Sequence, residues 1–256
     1  MARCNIMARL LKGKLALVTG ASGDIGSDIA LLFAQEGAKV VATYAKSEDR
    51  AKELQKKGKS FGLDIWTKQL DVTQEEKIDL FFKDLDKDQF FPDIIVNTAG
   101  HSDRRIWFSK PEELTNDDWV RVYNVDVVGS FRCSVEAAKR MMERRGGCII
   151  NFSSAAGVTG HTEGLPYTAA KAALIALTKS LAFIYGPKVR VNAIAPGNID
   201  AGSIKWYNAE QVETMKLEAS LRRLGTRREV STVALFLASD LSSYITGQTI
   251  LVDGGI

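Results

Sequence analysis

The chain has 256 residues, of which 45% are hydrophobic and 25% are charged, which is the profile of a globular protein with a sizeable core. The net charge of +3 is too small and too dispersed to make nucleic acid the expected partner. Cys4, Cys133 and Cys148 form no metal-binding spacing and cannot all pair, which favours a cytoplasmic protein without a metal. No apolar run approaches the ~20 residues of a membrane span, so we expect no membrane partner.

The first eleven residues differ in pattern from the rest and are interpreted as an N-terminal leader. Their apolar positions are interrupted by Arg9, which argues against a signal peptide, and Met7 is a candidate for the natural start. Residues 12–256 contain no low-complexity linker, so we predict that they form a single domain.

Short apolar runs alternate with helical patterns along this domain, which is typical of βαβ units and a parallel sheet. The predicted strands are 15–18, 39–43, 65–70, 94–97, 149–153, 189–194 and 249–252. The predicted helices are 25–36, 47–57, 74–87, 115–145, 167–185 and 229–237, the fourth capped by Thr115 with Asp118. Residues 198–223 are polar and irregular in pattern.

A glycine-rich turn, from Thr19 to Gly26, follows the first strand and opens the first helix. Backbone N–H groups at a helix N-terminus bind phosphate, and glycine permits its close approach. A tight turn that binds no ligand could have the same glycine-rich sequence. The position of this turn between a strand and a helix favours a phosphate site. The candidate ligand-binding residues here are Gly20, Ser22, Gly23, Asp24, Ile25 and Gly26.

Tyr167 and Lys171 are four residues apart and therefore lie on the same face of a predicted helix. A free phenol, with a pKa of about 10, is a poor acid or base at neutral pH, and a nearby cation favours its ionised form. The pair alone is weak evidence, because helices often carry Tyr and Lys at this spacing by chance. Ser154, thirteen residues earlier, strengthens the case for a reaction site.

Taken together, these features resemble the short-chain dehydrogenase/reductase family in its single-domain form. The resemblance runs from about residue 12 to residue 255. Its motifs are the glycine turn, Asp71-Val72, Asn97-Thr98-Ala99-Gly100, Ser154, Tyr167 with Lys171, Pro196-Gly197, Ile245-Thr246-Gly247 and Asp253-Gly254-Gly255. The resemblance implies a Rossmann-like, doubly wound α/β fold with a seven-stranded parallel sheet and a nicotinamide dinucleotide cofactor. It also implies that residues 198–223 form a substrate lid.

The resemblance also implies the roles of individual residues. Tyr167 would be the proton donor in reduction or the base in oxidation, Lys171 would favour its phenolate and bind the cofactor ribose, and Ser154 would hydrogen-bond the substrate oxygen. The remaining candidate cofactor contacts are Thr43, Tyr44, Lys46, Ser47, Asp71, Val72, Asn97, Ala99, Gly100, Pro196, Gly197 and Ile199.

Two aspartates depart from the family pattern. Asp24 stands where the middle glycine is usual, and we expect it to turn away from the phosphate and cap the helix beginning at Ile25. Asp126 stands where an asparagine that holds a relay water is usual, so we include it among the catalytic candidates. Its carboxylate could bind that water or pair with Lys171, and the pairing could also weaken the effect of Lys171 on Tyr167.

NADP(H) is the expected cofactor, with NAD(H) possible, because no carboxylate follows the second strand until Glu48. In dinucleotide folds that select NAD, such a carboxylate binds the ribose 2′-hydroxyl. Thr43 and Ser47 could instead donate hydrogen bonds to a 2′-phosphate, and Lys46 could pair with it. Gly23 is a departure, since relatives that prefer NADP often carry a basic residue there.

The C-terminal segment from Phe236 is similar to bacterial 3-oxoacyl carrier-protein reductases of fatty acid biosynthesis. That similarity implies reduction of a 3-oxoacyl thioester, with Arg145 and Lys188 beside the site's mouth to receive the acidic carrier protein. A sugar or secondary-alcohol dehydrogenase is the alternative, and a catalytically silent dinucleotide-binding regulatory protein is a further one.

The family also implies a homo-oligomer, expected to be a tetramer. The apolar stripe of Ala173, Leu174, Leu177 and Leu181 would pair across a two-fold axis, or else face the monomer's own sheet. His101 and His161 lie in loops near the expected pocket, and the tryptophans are interpreted mainly as packing residues.

Overall fold

The computed structural model describes residues 9–256. A seven-stranded, fully parallel sheet runs through the molecule in the order β3-β2-β1-β4-β5-β6-β7. The strands are β1 (Leu15–Thr19), β2 (Lys39–Tyr44), β3 (Ile65–Gln69), β4 (Ile94–Asn97), β5 (Gly147–Phe152), β6 (Val189–Pro196) and β7 (Thr249–Val252). The predicted fold class is confirmed, and every predicted strand is present.

The helices cover both faces of this sheet, as a doubly wound fold requires. They are α1 (Asp24–Gln35), α2 (Glu48–Ser60), α3 (Glu75–Lys87), α4 (Arg104–Phe108), α5 (Asn116–Tyr123), α6 (Ser130–Met142), α7 (Ala156–Thr159), α8 (Leu165–Tyr185), α9 (Ala209–Glu218) and α10 (Arg227–Ala238). The short helices α4 and α7 were not predicted, because segments of four or five residues show no helical period. Helix α9, within the segment 198–223 that was interpreted as irregular, was not predicted either, because it buries no residue and so has no apolar face.

Each strand alternates its side chains between two apolar layers. Val18 and Val96 face the layer beneath α1 and α10, whereas Leu17 and Ile95 face the layer beneath α3 and α6. Because apolar groups fill both faces of the sheet, we expect polar groups that bind a ligand at the ends of the strands.

The predicted helix over 115–145 is present but interrupted. Thr115 and Asp118 form the predicted capping box, with each side chain accepting the other residue's backbone N–H. A π-helical turn (Asn124–Gly129) separates α5 from α6. The sequence predicted one continuous helix, because helical patterns stand on both sides of this single wide turn with no glycine–proline break between them.

The apolar stripe offered for subunit pairing packs largely within the chain's own core. Leu174 and Leu181 in α8 are 1% and 2% exposed, so the alternative orientation toward the sheet is correct for them. The exposed apolar side chains in this region are instead Phe183 and Ile184 at the end of α8 and Trp119, Val120 and Tyr123 of α5.

The predicted leader lies mostly outside the described residues, as do Cys4 and Met7. Leu11, its last residue, is fully buried, and its N–H donates to the carbonyl of Glu36. Packing of the domain therefore begins before residue 12. Within the described part of the chain, α8 is the one helix long and apolar enough to cross a membrane by length and composition alone. Because it packs against β6 and holds the buried Lys171, it is a core helix here.

Candidate active site

The reaction site is built around the first turns of α8. Pro166 stands in the first turn of this helix, where its lack of an N–H costs nothing, and Tyr167 and Lys171 follow on one face. The ammonium nitrogen of Lys171 lies 5.3 Å from the centroid of the Tyr167 ring. The structure thus brings together the two residues that the sequence singled out.

A buried ion pair fixes Lys171 in place. Its ammonium lies 2.8 Å from Oδ1 of Asp126 and donates to the carbonyl of Phe152 at 2.8 Å. Asp126 is fully buried, and its Oδ2 accepts the backbone N–H of His101 at 2.8 Å. Burial alone would lower the pKa of Lys171, but the charge of Asp126 raises it above its ordinary value. The ion pair therefore favours the charged form of Lys171, and the pairing foreseen as one option for Asp126 is present.

The π-turn explains how Asp126 reaches this position. A π-turn widens the helix by one residue and rotates the side chains that follow, and such turns occur frequently at functional sites. Here it buries the Asp126 side chain against α8 and against the loop after β4, where a Cβ on Gly100 would stand 3.3 Å from Oδ1. The aspartate at position 126, where the family usually has asparagine, thus lies within a π-turn that interrupts the α-helix.

Ser154 follows the carboxyl end of β5. Its neighbour Ser153 donates to the backbone carbonyl of Lys171 at 2.7 Å, which ties the strand end to α8. Ser154 is half-buried, and its hydroxyl oxygen accepts the N–H of Ala156 at 3.3 Å, which leaves its own proton free to point outward. Ser154, Tyr167 and Lys171 line one cleft of about 400 Å³.

The glycine turn forms the other end of this cleft. Gly20 has φ +63°, and a Cβ there would come within 2.7 Å of the Ala99 backbone, so only glycine fits. A Cβ on Gly26 would lie 2.6 Å from the Thr98 hydroxyl. Helix α1 begins after Gly23, and no side chain within residues 9–256 caps its N-terminus. Its first N–H groups remain available, as binding of a pyrophosphate requires.

Asp24 does not cap this helix, contrary to expectation. It is the first residue of α1, and its carboxylate instead pairs with Arg50 of α2 and accepts the N–H of Gly202 at 2.9 Å. Burial would raise the pKa of Asp24, but the bonds from Gly202 and Arg50 lower it below its ordinary value. The carboxylate thus connects the glycine turn to residues 198–223, and nothing in the sequence pointed to Arg50 as its partner.

The other predicted cofactor residues also lie at the carboxyl edge of the sheet, but their side chains differ in availability. Thr43 is buried at the end of β2, and its hydroxyl has no hydrogen-bond partner among the described residues, which suits a ligand contact. The Asp71 carboxylate accepts from Thr73 and Gln74 in a local turn. Asn97 is 2% exposed, and its amide donates to Ser134 and Asn151, so that side chain joins the strands together.

The remaining positions divide by their distance from the cleft. The residues that line it are Gly23, Ile25, Gly100, Pro196, Gly197 and Ile199. Ser22, Tyr44, Lys46, Ser47, Val72 and Ala99 lie at or beside strand ends outside this lining. Lys46 and Ser47 are exposed and follow Thr43 by three and four residues in the sequence. The residues present therefore fit a dinucleotide, with the pyrophosphate at α1 and the adenosine ribose at β2.

An aromatic wall, defined as Trp107, His161, Trp206 and Tyr207, closes the substrate side of the cleft. The ring centroid of Trp107 lies 5.3 Å from that of Tyr167, 5.7 Å from His161 and 6.3 Å from Trp206. The sequence placed Trp206 and Tyr207 in a lid but interpreted Trp107 as packing. Trp107 stands in the unpredicted helix α4, so no pattern connected it to the site.

Arg145 and Lys188 lie away from this cleft. They directly precede β5 and β6, at the amino edge of the sheet, whereas Ser154 and Pro196 follow or end those strands at the carboxyl edge. Lys188 also donates to the carbonyl of Met142 at 2.8 Å, which caps the end of α6. The expectation that they stand beside the mouth of the site is wrong within one chain. Residues 9–256 contain no cluster of three or more His, Cys, Asp or Glu side chains that could hold a metal.

Comparisons with known proteins agree with this architecture. A family model described as "Enoyl-(Acyl carrier protein) reductase" matches residues 20–256. The 3-oxoacyl-[acyl-carrier-protein] reductase FabG of Staphylococcus aureus (strain Mu50 / ATCC 700699) is 36% identical over 244 residues, covering 95% of this chain and 98% of the relative. A putative gluconate dehydrogenase from Agrobacterium tumefaciens is 31% identical with a TM-score of 0.90, covering 97% of this chain and 98% of that one. A 3-oxoacyl-[acyl-carrier protein] reductase with bound NAD from Brucella melitensis is 33% identical with a TM-score of 0.87, covering 97% and 92%.

The fold, the site and these similarities define an oxidoreductase with a nicotinamide dinucleotide site. The chain belongs to the short-chain dehydrogenase/reductase family.

Proposed function

We propose that this protein uses NADPH to reduce the ketone of a 3-oxoacyl thioester to a secondary alcohol. The observation that carries the proposal is the meeting of Ser154, Tyr167 and the charged Lys171 in one cleft with the glycine turn. Similarity to 3-oxoacyl-[acyl-carrier-protein] reductases over nearly the full length supports the thioester class and a role in fatty acid biosynthesis.

The chain's own groups supply the acid chemistry. The nicotinamide, when bound, supplies the hydride to the carbonyl carbon. Ser154 and Tyr167 each donate a hydrogen bond to the carbonyl oxygen, which stabilises the charge that grows there. Tyr167 then transfers its proton to that oxygen, and the cation at Lys171 stabilises the phenolate until solvent returns a proton. In the reverse direction Tyr167 is the base.

Preference for NADP(H) is the finer part of the proposal. The buried hydroxyl of Thr43, at the end of β2, has no partner in the part of the chain that the structure describes. The exposed Lys46 and Ser47 follow it in the sequence without an intervening carboxylate. A 2′-phosphate would find hydrogen-bond donors and a cation there. The relative from Brucella melitensis carries NAD, so NAD(H) is the competing cofactor.

Kinetics with both cofactors test this preference. Acetoacetyl thioester is reduced with NADPH or NADH, in the parent and in Thr43→Asp, whose carboxylate would repel a 2′-phosphate. We expect the parent to favour NADPH in kcat/KM and the variant to lose that preference. Thr67→Asp, on the neighbouring strand β3, is the control for an added charge. A parent that favours NADH by ~10-fold, or ~1.4 kcal/mol, would contradict the proposal.

The alternative substrate is a sugar or a simple secondary alcohol, and the similarity to a putative gluconate dehydrogenase supports this alternative. A panel of acetoacetyl thioesters, crotonyl thioester, sugars and cyclic alcohols separates the classes. We expect the highest kcat/KM with acetoacetyl thioesters. Cofactor binding without turnover of any member would indicate the catalytically silent regulatory protein instead.

Partners and location are proposed more broadly. An acidic acyl carrier protein could dock at Arg145 and Lys188 only to serve the active site of another copy, because the two residues lie at the opposite edge of the sheet. Such a homo-oligomer, proposed as a tetramer, would cover the exposed Trp119, Val120 and Tyr123. Light scattering tests it. The buried, unpaired thiols of Cys133 and Cys148 support a cytoplasmic location.

A further inference from the structure

A carboxylate stands directly behind the aromatic wall. Glu163 precedes α8, and its Oε2 accepts the indole N–H of Trp107 at 2.9 Å and the hydroxyl of Tyr207 at 2.5 Å. Burial and the bond to Glu163 raise the pKa of Tyr207 well above its ordinary value, so Tyr207 remains a neutral donor. One indole ring therefore separates this carboxylate from Tyr167, whose ring packs against Trp107.

Trp107 is held from several sides, which keeps Glu163 in this position. The backbone carbonyl of Trp107 accepts the N–H of Gly164 at 2.8 Å. A Cβ on Gly164 would stand 2.5 Å from the indole, so the ring packs directly on the turn that leads into the catalytic helix. The bonds from Trp107 and Tyr207 thus hold the Glu163 carboxylate behind the ring of Trp107.

No cation balances this carboxylate on the substrate side. Among the described residues that line the cleft, Lys171 is the only Lys or Arg, and its charge is already paired with Asp126. The Nδ1 atom of His161 lies 3.1 Å from the backbone nitrogen and 3.3 Å from the backbone carbonyl oxygen of Glu163, so this ring atom is engaged by the backbone and not by the cleft. A carboxylate brought into this space would lose its hydration without gaining a Lys or Arg partner. It would be repelled by Asp103 and Glu218, which line the cleft, and by Glu163 behind the aromatic wall.

We propose that the cleft selects carbonyl substrates whose reacting half carries no negative charge, and that Glu163 enforces this selection from behind the aromatic wall. The inference rests on the proposed function and deepens it. Neutral 3-oxo esters and thioesters fit the cleft, whereas free keto acids and sugar acids are excluded. A thioester meets this requirement because its carboxyl group is masked next to the reacting ketone.

The sharpest test compares two substrates that differ only in this charge. Methyl acetoacetate and free acetoacetate present the same ketone, and both are reduced with saturating NADPH at about pH 8, where an ordinary imidazole is uncharged. We expect kcat/KM for the ester to exceed that for the acid by about 100-fold, equivalent to ~2.7 kcal/mol. Equal use of the two, or preference for the acid, would overturn the proposal.

A variant assigns the effect to Glu163. Glu163→Gln keeps an oxygen that accepts from Trp107 and Tyr207 but removes the charge, so the preference for the ester should shrink about tenfold, mainly through a lower KM for acetoacetate. Glu210→Gln, an exposed carboxylate in α9, is the matched control and should leave the ratio unchanged. An unchanged ratio in Glu163→Gln would refute the role of this residue.

Binding measurements keep this inference separate from the proposed function. Calorimetry with the NADP⁺ complex compares methyl 3-hydroxybutyrate with 3-hydroxybutyrate, which requires no turnover. Tighter binding of the ester would support the selection even if no ketone were reduced. Turnover in which acids serve as well as esters would refute the selection and leave the oxidoreductase activity standing.

Discussion

The two halves of the cleft are built in different ways. The cofactor half consists mainly of backbone groups and small residues at the ends of neighbouring strands, such as Gly20, Gly26 and Pro196. The substrate half consists of large side chains from segments far apart in the sequence, namely Trp107, Glu163 and Tyr207, whose contacts span up to 100 residues. The cofactor half forms whenever the sheet folds, because it consists of strand ends. The shape of the substrate half depends on each of its large side chains.

The two halves of the cleft also differ in how many amino-acid substitutions they can tolerate. Most side chains added to the glycine turn would meet the backbone of Ala99 or Ala21 at under 3 Å, so that half tolerates little change. Gly23 is the exception, because a Cβ there would meet only one atom, at 3.2 Å. In the substrate half, one altered ring would change the space beside Tyr167 without disturbing the sheet. We therefore expect substrate preference to follow the wall and cofactor binding to follow the sheet.

The largest effect is expected where the two halves meet, at Tyr167. Tyr167→Phe removes the proton donor but preserves the ring that packs on Trp107, so kcat should fall by about 10²–10⁴-fold or more. Affinity for the cofactor, measured by calorimetry, should change little. Tyr185→Phe, at the far end of the same helix, is the control and should retain full activity. Retention of most of the activity in Tyr167→Phe would refute the assigned proton donor.

Asp126→Asn removes the negative charge of the buried ion pair but keeps the shape of the side chain, so it tests whether the charge itself is needed for activity. Activity near neutral pH should be preserved or raised, because the variant restores the residue usual in the family and frees the charge of Lys171. The pKa of Lys171, which Asp126 raises, should then fall. The alkaline limb of the kcat profile should move to lower pH, because Lys171 loses its proton earlier.

The control for this change is Asp117→Asn, an exposed acidic residue in the first turn of α5. Its pH profile should match that of the parent. A folded Asp126→Asn protein that has lost most of its rate at every pH would show instead that the carboxylate itself is required.

Tyr207→Phe should affect the substrate half alone. The variant loses the hydroxyl that donates to Glu163 and accepts from Trp107, so the wall should loosen. We expect KM for the substrate to rise by about 3- to 30-fold, equivalent to ~0.6–2 kcal/mol for the loss of these two hydrogen bonds, with an unchanged KM for the cofactor. Tyr244→Phe, fully exposed on the surface, is the control. A change confined to the cofactor KM would break the division between the two halves.

The smallest effect is expected from Asp24→Asn, which weakens the link between the halves. The pKa of Asp24 is lowered in the folded protein, so its charge stabilises the fold above the unfolded value of about 4. This contribution is lost as the pH falls through the folded value. Parent and variant should therefore differ by about 1 kcal/mol or less at neutral pH and converge in acid. Asp49→Asn, an exposed acid in α2, is the control in chemical denaturation. A difference that persists in acid would contradict the assignment.

How much the sequence could predict depended on how local each signal was. Tyr167 and Lys171 were found because one helical turn separates them, and the Thr115 cap because three residues define it. The partner of Asp24 was missed because Arg50 lies on another helix, 26 residues away. The sequence could not decide whether the apolar stripe of α8 contacts the sheet or another subunit, because both contacts require apolar residues at the same helical period of 3.6.

The sequence alone was enough to predict the seven strands, the main helices, the glycine turn and the Tyr167–Lys171 pair, because each depends on a few consecutive residues or one helical period. It did not predict α4, α7, α9 or the π-turn. Only the tertiary structure decided the surroundings of the predicted groups. It placed the carboxylate of Asp126 against Lys171 through a π-turn and assembled Glu163, Trp107 and Tyr207 behind the catalytic ring. It also separated Arg145 and Lys188 from the cleft, since the direction of a parallel strand decides which edge of the sheet each flanking residue occupies.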